Sequence, residues 1–174
     1  MRSSAPLPQR HTRSSIVEDR VAGALLLLFG IPVTRLAQLT VGDVERDTKG
    51  TRLRIGTHWL QLPPRLDALV TRLVEQPPLH RSTLAKLAPA RWLFPGTSPT
   101  RSASYSQLLG RLRRHGITAT AGRNTARAAL ASRLPTSVLA DLTGIHIHTA
   151  VAWNRLTGAD WTEYVGLRAH DTSS

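Results

Sequence analysis

Residues 110–145 read GRLRRHGITATAGRNTARAALASRLPTSVLADLTGI, and this stretch decides the fold. Its alanines and leucines recur at helical spacing, and Gly116 and Gly144 interrupt the pattern where helices are expected to end. Seven arginines and no acidic residue lie between Arg101 and Arg133. A run of positive charge this dense favours a phosphate-bearing polymer as a partner. The stretch therefore predicts a helical lobe that binds nucleic acid.

Helical patterns continue on both sides of this stretch. We predict helices over residues 105–112, 124–133, 136–142, 148–156 and 161–169. Arg111 and Arg114 lie away from the apolar face of the first of these helices, and Arg123 and Arg127 lie one above the other on the second. We expect an anion to neutralise this cluster. The alternatives are a solvated face and an acidic protein partner.

The first hundred residues begin with an arm and a central helix. Residues 1–14 are rich in Ser, Pro and Arg and predict a disordered basic arm. Ser15 and Glu18 have the spacing of a capping box, which starts an apolar helix that reaches Phe29. Pro32 is expected to begin a short second helix.

A short β-hairpin follows these helices. Apolar residues alternate along residues 53–62 on both sides of a turn at Gly56-Thr57, which is typical of two paired strands. Pro64 opens another helix, and Trp92-Leu93-Phe94 is predicted to be a buried strand. The whole chain is thus expected to be mostly α with a small β-hairpin. We predict one domain over residues 15–170, with a helix-and-hairpin lobe to residue 100, an arginine-rich helical lobe from 101, and a tail at 171–174.

Composition excludes several classes of function. The chain has no cysteine, which rules out disulfides and thiolate chemistry, and a formal net charge of +12. Its longest apolar run, residues 21–33, is too short to cross a bilayer, so we predict a cytoplasmic protein. His146 and His148 are two residues apart and point to different helix faces, so we expect no metal site and no cofactor. The other histidines are expected to be surface or turn residues: His58, His80, His115 and His170.

A helix-turn-helix pattern lies at residues 137–153. Ala140 is expected to pack on the following helix, Gly144 to allow the turn, and Ile145, Ile147 and Val151 to fill the bend. The second helix would then offer four side chains to a DNA groove: His148, Thr149, Ala152 and Arg155.

Taken in order, four segments resemble one family, the tyrosine recombinases or phage integrases, in their catalytic domain. They are ALLLLFGIPVTRLAQLTVGDV, the hairpin with Leu62-Pro63, WLFPG, and the stretch quoted first. The resemblance covers about 150 residues and implies the fold of the DNA breaking-rejoining enzymes. It also implies double-stranded DNA as the partner and no cofactor. Because the sequence starts where that domain starts, we expect the family's N-terminal DNA-clamping domain to be absent.

The resemblance also implies which residues would act. In the family a tyrosine attacks a DNA phosphodiester, two arginines bind the phosphoryl oxygens, and a hairpin lysine and histidines move protons. Here Pro32 stands at the first arginine position, with Arg35 three residues later, and Arg123 matches the second arginine. No lysine lies at the hairpin turn, residues 56–58.

The remaining positions depart further from the family. Thr120 and Ile145 stand at the two histidine positions, with His146 adjacent to the second. Trp153 occupies the nucleophile position, and Tyr164 is the tyrosine that follows it. The candidate catalytic residues are therefore Arg35, Arg123, His146 and Tyr164. The candidate DNA contacts are Arg111, Arg113, Arg114, Arg123, Arg127, His148 and Arg155.

These departures predict a DNA-binding, recombinase-like protein that is catalytically impaired on its own and associates with the nucleoid. The last helix is a candidate contact with a second copy or a larger recombinase. Two alternatives stay open. One is a helix-turn-helix regulator, and the other is an active recombinase that uses Tyr164.

Overall fold

The computed structural model describes residues 10–75, 91–97 and 101–157, with side chains from Ile16 onward. This part of the chain forms seven α-helices and one three-stranded antiparallel sheet, which confirms a mostly α architecture with a small β element. The helices are α1 (Arg10–Phe29), α2 (Val33–Ala37), α3 (Pro64–Glu75), α4 (Tyr105–Arg114), α5 (Ala119–Ala131), α6 (Thr136–Thr143) and α7 (Ile147–Leu156). None of the described helices has the length and apolar character needed to cross a membrane.

Helix α1 lies at the centre of the molecule, as its apolar sequence predicts. It packs on α3, α4 and α5, and Val21, Leu25 and Leu26 are fully buried. Gly122 permits the close approach of α5, because a Cβ there would lie 2.7 Å from a methyl carbon of Leu27. Leu28, in contrast, is half exposed.

The start of α1 differs from the sequence prediction. The helix begins at Arg10, so the predicted disordered arm of residues 1–14 is wrong for its last five residues. Residue 15 therefore lies within the helix and not at its start. The Glu18 carboxylate, assigned to a capping box, instead pairs with a distant arginine on α4. Glu18 and its arginine are 93 positions apart in the sequence, so a local capping pattern could not indicate their buried ion pair.

The sheet follows the order β1 (Val44–Asp47), β2 (Gly50–Ile55) and β3 (His58–Gln61). The predicted hairpin is β2–β3, which places Leu53 opposite Leu60. Strand β1 was not predicted, because its sequence Val-Glu-Arg-Asp carries three exposed polar residues and lacks apolar alternation. Strand β2 contacts α3, and its buried Leu53 and Ile55 belong to the main core.

A carboxylate joins β2 to α3. The Asp67 side chain accepts hydrogen bonds from the Thr51 hydroxyl at 2.5 Å, the Thr71 hydroxyl at 3.1 Å and the Thr51 backbone N–H at 3.3 Å. These bonds, that from the Thr51 hydroxyl above all, lower the pKa of Asp67 despite partial burial.

The segment WLF is buried but is not a regular strand. Leu93 and Phe94 are almost fully buried, while Trp92 forms a single bridge with Thr40 and Pro95 forms one with Ser102. Burial of this segment was predicted correctly, and its strand conformation was wrong.

Helices α5, α6 and α7 contact one another pairwise and enclose a small second core. Helix α5 begins at Ala119, five residues before its predicted start, and α6 and α7 lie within a residue of their predicted bounds. The predicted last helix, residues 161–169, lies outside the described residues. Tyr164 lies outside them as well.

Candidate nucleic-acid interface

Arg111 was predicted to contact DNA, but the structure places it in a buried ion-pair cluster. Its guanidinium lies between α1 and α4, where Nη2 is 2.6 Å from Glu18 and Nε is 2.5 Å from Asp19. His115 also reaches Asp19, at 3.0 Å. All but 12% of the Arg111 side chain is buried, so the guanidinium faces the two carboxylates and presents little surface to a ligand. The sequence missed this partnership because the acids lie over 90 residues away.

Within residues 101–157, no other arginine of the helical lobe pairs with a described carboxylate. Arg113 and Arg114 are exposed in the last turn of α4, and Arg155 is exposed on α7. Among the described residues, none of these three has a carboxylate within 4 Å. Residues 101–157 contain eight arginines and a single acidic residue, Asp141. The positive charge predicted for this lobe is therefore largely uncompensated within the described structure.

Arg123 and Arg127 are one turn apart on α5 and are both partly buried. Arg123 donates from Nη2 to the Thr143 carbonyl at 3.2 Å, and Arg127 donates from Nη1 to the Asn124 side chain at 3.3 Å. The Nε atom of each is shielded from solvent and has no hydrogen-bond partner in the described part of the chain. Burial lowers the pKa of both guanidinium groups, and the charge of Arg123 lowers that of Arg127 further. The fold thus holds two partly desolvated cations one helical turn apart, and neither has a carboxylate partner in the described structure.

Three side chains from separate elements meet at the last turn of α6. Arg35, from α2, donates to the Asp141 carbonyl, and Arg123, from α5, donates to the Thr143 carbonyl. His58, at the start of β3, places Nε2 2.9 Å from a carboxylate oxygen of Asp141. The structure therefore brings Arg35 and Arg123, both predicted as site residues, to the same helix end.

The chemistry of this helix end explains why cations gather there. The last four carbonyls of an α-helix lack intrahelical partners and carry partial negative charge. An arginine has five N–H donors. Arg35 and Arg123 each satisfy one such carbonyl and keep further donors for another acceptor. The two arginines therefore each have an acceptor within the described structure, and their further guanidinium donors are chemically suited to a phosphate oxygen.

His58 was expected to be a surface or turn residue, and its pairing with Asp141 is the feature that the sequence did not indicate. The two residues are 83 positions apart, and neither has an informative neighbourhood in the chain. The one available signal is that His58 closes the β2–β3 turn, where the resemblance calls for a lysine. An imidazole that bonds a carboxylate is held in one orientation, which suits a proton-transfer group.

The other residues at family positions are dispersed. Pro32 touches the α6–α7 turn, because a Cβ on Gly144 would lie 3.0 Å from its Cγ. Thr120 is exposed and Ile145 is half buried. Trp153 is half buried and packs against the small core of α5–α7. A nucleophile therefore does not stand at the position where the resemblance requires one.

His146 caps α7, and its Nδ1 accepts from the His148 backbone N–H at 3.4 Å. The two exposed rings stack with centroids 5.0 Å apart, contrary to the expectation that they point to different faces. Even so, no group of three or more His, Asp or Glu side chains suited to a metal occurs in the described ranges.

The helix-turn-helix pattern is met in part. Ala140 is buried, and Gly144 adopts a φ of 64°, the left-handed conformation expected at the turn. Ile147 was predicted to fill the bend, but it is 42% exposed, because α7 turns its other face inward through Ala150 and Asn154. The four side chains predicted to face a groove are all exposed: His148, Thr149, Ala152 and Arg155.

Comparison with protein-family models, with curated proteins and with solved structures finds no match to this chain. The functional argument therefore depends on the geometry and charge described above.

Proposed function

We propose that this chain binds duplex DNA through phosphate contacts made by its helical lobe, on a scaffold like that of the tyrosine recombinases with an impaired catalytic site. The observation that supports this most directly is the pair Arg123 and Arg127, whose buried Nε atoms have no partner in the described structure. A cation that is already partly desolvated loses less solvation when an anion binds. Guanidinium groups also match the geometry of a phosphate. Arg113, Arg114 and Arg155 would add contacts from solvent-exposed positions.

A salt titration with matched variants tests this proposal. Binding of a labelled duplex is measured by anisotropy from about 50 to 200 mM salt, because each neutralised phosphate contributes a slope of about −0.9 in log affinity against log salt. The double variant Arg123→Ala/Arg127→Ala is expected to bind at least tenfold more weakly and to lower the slope by about two.

The control is Arg65→Ala/Arg72→Ala, which removes two exposed arginines from α3 and makes the same change in net charge. We expect less than a twofold change in affinity for it. Equal losses in both variants would indicate a diffuse basic surface instead of a phosphate site. Absence of binding at low salt would contradict the proposal.

The same proposal includes the absence of strand cleavage by the isolated chain. An indole at Trp153 cannot attack phosphorus, the hairpin turn carries His58 in place of a lysine, and Pro32 stands at an arginine position. Losing one donor that stabilises the transition state typically costs about a hundredfold or more in rate. We therefore expect no covalent protein–DNA product.

A nicked suicide duplex, resolved on a denaturing gel, measures this. A shifted protein–DNA band that disappears in Tyr164→Phe would contradict the impaired site and support a relocated tyrosine nucleophile.

The proposal also covers location and assembly. It describes a cytoplasmic, nucleoid-associated protein that binds a second copy or a larger recombinase through residues 161–169. Light scattering of the chain with and without DNA measures its assembly.

A further inference from the structure

Helices α5, α6 and α7 form a unit with a core of its own. Ala131, Leu139, Ala140 and Ala150 are all at least nine-tenths buried, and they form a cluster distinct from the main core around α1. The turn between α6 and α7 is tight, since the Ile145 N–H bonds the Ala140 carbonyl at 3.1 Å and α7 begins two residues later. The orientation of α7 is thus fixed by packing on two neighbouring helices.

Helix α7 has one buried and one exposed face. Ala150 and Asn154 point inward, and the Asn154 amide donates to the Leu134 carbonyl at 3.3 Å. The opposite face carries His148, Ala152 and Arg155, spaced by four and three residues, with Thr149 beside them. All four are exposed, and the structure shows no described segment covering them.

Charge and shape indicate what this face fits. Neither α5 nor α7 contains an acidic residue, and the one acid of α6, Asp141, is held by His58. Two of the four exposed side chains, Thr149 and Ala152, are small and present methyl groups. A helix with this surface can enter the major groove of B-DNA, where small side chains contact thymine methyls and arginine bonds guanine.

We infer that α7 lies in the major groove and contacts base edges, while the arginines of α5 bind the flanking phosphates. The inference rests on the duplex binding proposed above and adds sequence discrimination to it. Thr149 and Ala152 set how closely the helix approaches, and His148 and Arg155 supply donors at its two ends.

Selection from a randomised duplex pool, followed by affinity measurements on the enriched and a scrambled duplex, tests the inference. Ala152→Leu adds bulk to the exposed face of α7 without changing charge. We expect it to lower the preference for the enriched over the scrambled duplex at least tenfold, with an unchanged salt slope and thermal melt. His148→Ala/Arg155→Ala is expected to lower the same preference through lost base contacts.

The control is Ala68→Leu, the same substitution at an exposed position of α3, which should leave the preference unchanged. An A-form RNA duplex of the enriched sequence should bind at least tenfold more weakly, because its major groove is too narrow for a helix. Failure to enrich any sequence, equal behaviour of the two leucine variants, or equal binding of RNA would each overturn the inference. In all three cases salt-dependent DNA binding would still uphold the proposed function.

Discussion

Arginines on the sheet and arginines on helices α4–α7 are used in opposite ways. On the outer face of the sheet, Arg54 is 2.7 Å from Asp43, and Arg52 is 2.9 Å from Glu45. Both guanidinium groups also lie within about 6 Å of the Trp59 ring centroid. On the helical lobe, Arg111 alone has described carboxylate partners, and those come from α1. Arginine count is therefore a poor guide to ligand binding until pairing is known.

The comparison separates arginines that stabilise the protein from those available to a partner. An arginine paired with a carboxylate contributes to the free energy of unfolding, and its removal therefore lowers that free energy. An unpaired arginine costs little stability on removal, and its loss appears in binding. Substitutions in the two groups should therefore have opposite signatures in unfolding and DNA-binding experiments.

The largest effect is expected at Arg111. Arg111→Met leaves Glu18 and Asp19 buried without their guanidinium, which typically costs about 3–5 kcal/mol in the free energy of unfolding. Urea unfolding measures the change, with Arg113→Met, an exposed arginine on the same helix, as the control. A loss below about 1 kcal/mol for Arg111→Met would mean that the buried cluster is not a stabilising pair.

The next effect is expected at Asp67. Asp67→Asn removes the charge that accepts three hydrogen bonds from Thr51 and Thr71, at a cost of about 1–3 kcal/mol. Because folding lowers the pKa of Asp67, the carboxylate stabilises the fold above its unfolded pKa of about 3.9. That contribution is lost as the pH falls through the lower folded-state pKa.

Urea unfolding at pH 7, 5 and 3 checks the sign. The difference between wild type and Asp67→Asn should be full at pH 7 and 5 and smaller at pH 3. A difference that grows towards pH 3 would show that the ionised carboxylate does not stabilise this junction.

A smaller effect is expected at Arg127. Arg127→Met retains most of the apolar stem and removes a cation that has no carboxylate partner within 4 Å in the described structure. We expect the free energy of unfolding to change by no more than about 0.5 kcal/mol, while duplex affinity falls severalfold. A large loss of stability without a loss of DNA affinity would show that Arg127 belongs with the arginines that stabilise the protein.

The smallest effect is expected at Arg46. Its 3.6 Å pair with Glu75 joins side chains that are each about two-thirds exposed. Arg46→Ala should cost less than about 0.5 kcal/mol and leave DNA binding nearly unchanged. A double-mutant cycle with Glu75→Gln isolates the pair, and a coupling above 1 kcal/mol would make it an exception among surface ion pairs.

Local sequence patterns predicted the elements better than the contacts between them. The alternation at residues 53–62 and the helical spacing at residues 64–75 located β2, β3 and α3, because these elements each bury one regular face. Strand β1 escaped prediction, since an edge strand with three exposed polar residues has no apolar pattern. Residues 92–94 were predicted to be a strand because they form a short apolar run. A buried segment without regular secondary structure can have the same apolar sequence.

The relative placement of candidate site residues could be predicted when they lie on one helix. It could not be predicted when they come from different elements. Arg123 and Arg127 could be placed on one face from their spacing of four. The partners of Arg111 and His58 could not, because 92 and 83 residues separate them from their acids. The exposure of Thr149, Ala152 and Arg155 on α7 was predicted, yet Ile147 was misplaced, because the face that α7 turns inward depends on its packing against α5 and α6.

The long separation between Asp19 and Arg111 also constrains how the protein is made. Residues 16–29 leave the ribosome early, but α1 is fully covered only after α4 and α5 have joined α3 against it. At about 5–20 residues per second, the 92 intervening residues take roughly 5–20 s to synthesise. During that interval α1 is a nascent segment whose leucines are only partly covered and whose Asp19 has not yet met Arg111 and His115. Proteolysis of stalled chains should therefore cut α1 while α4 and α5 are missing, and protection should rise once α5, which ends at Ala131, has emerged.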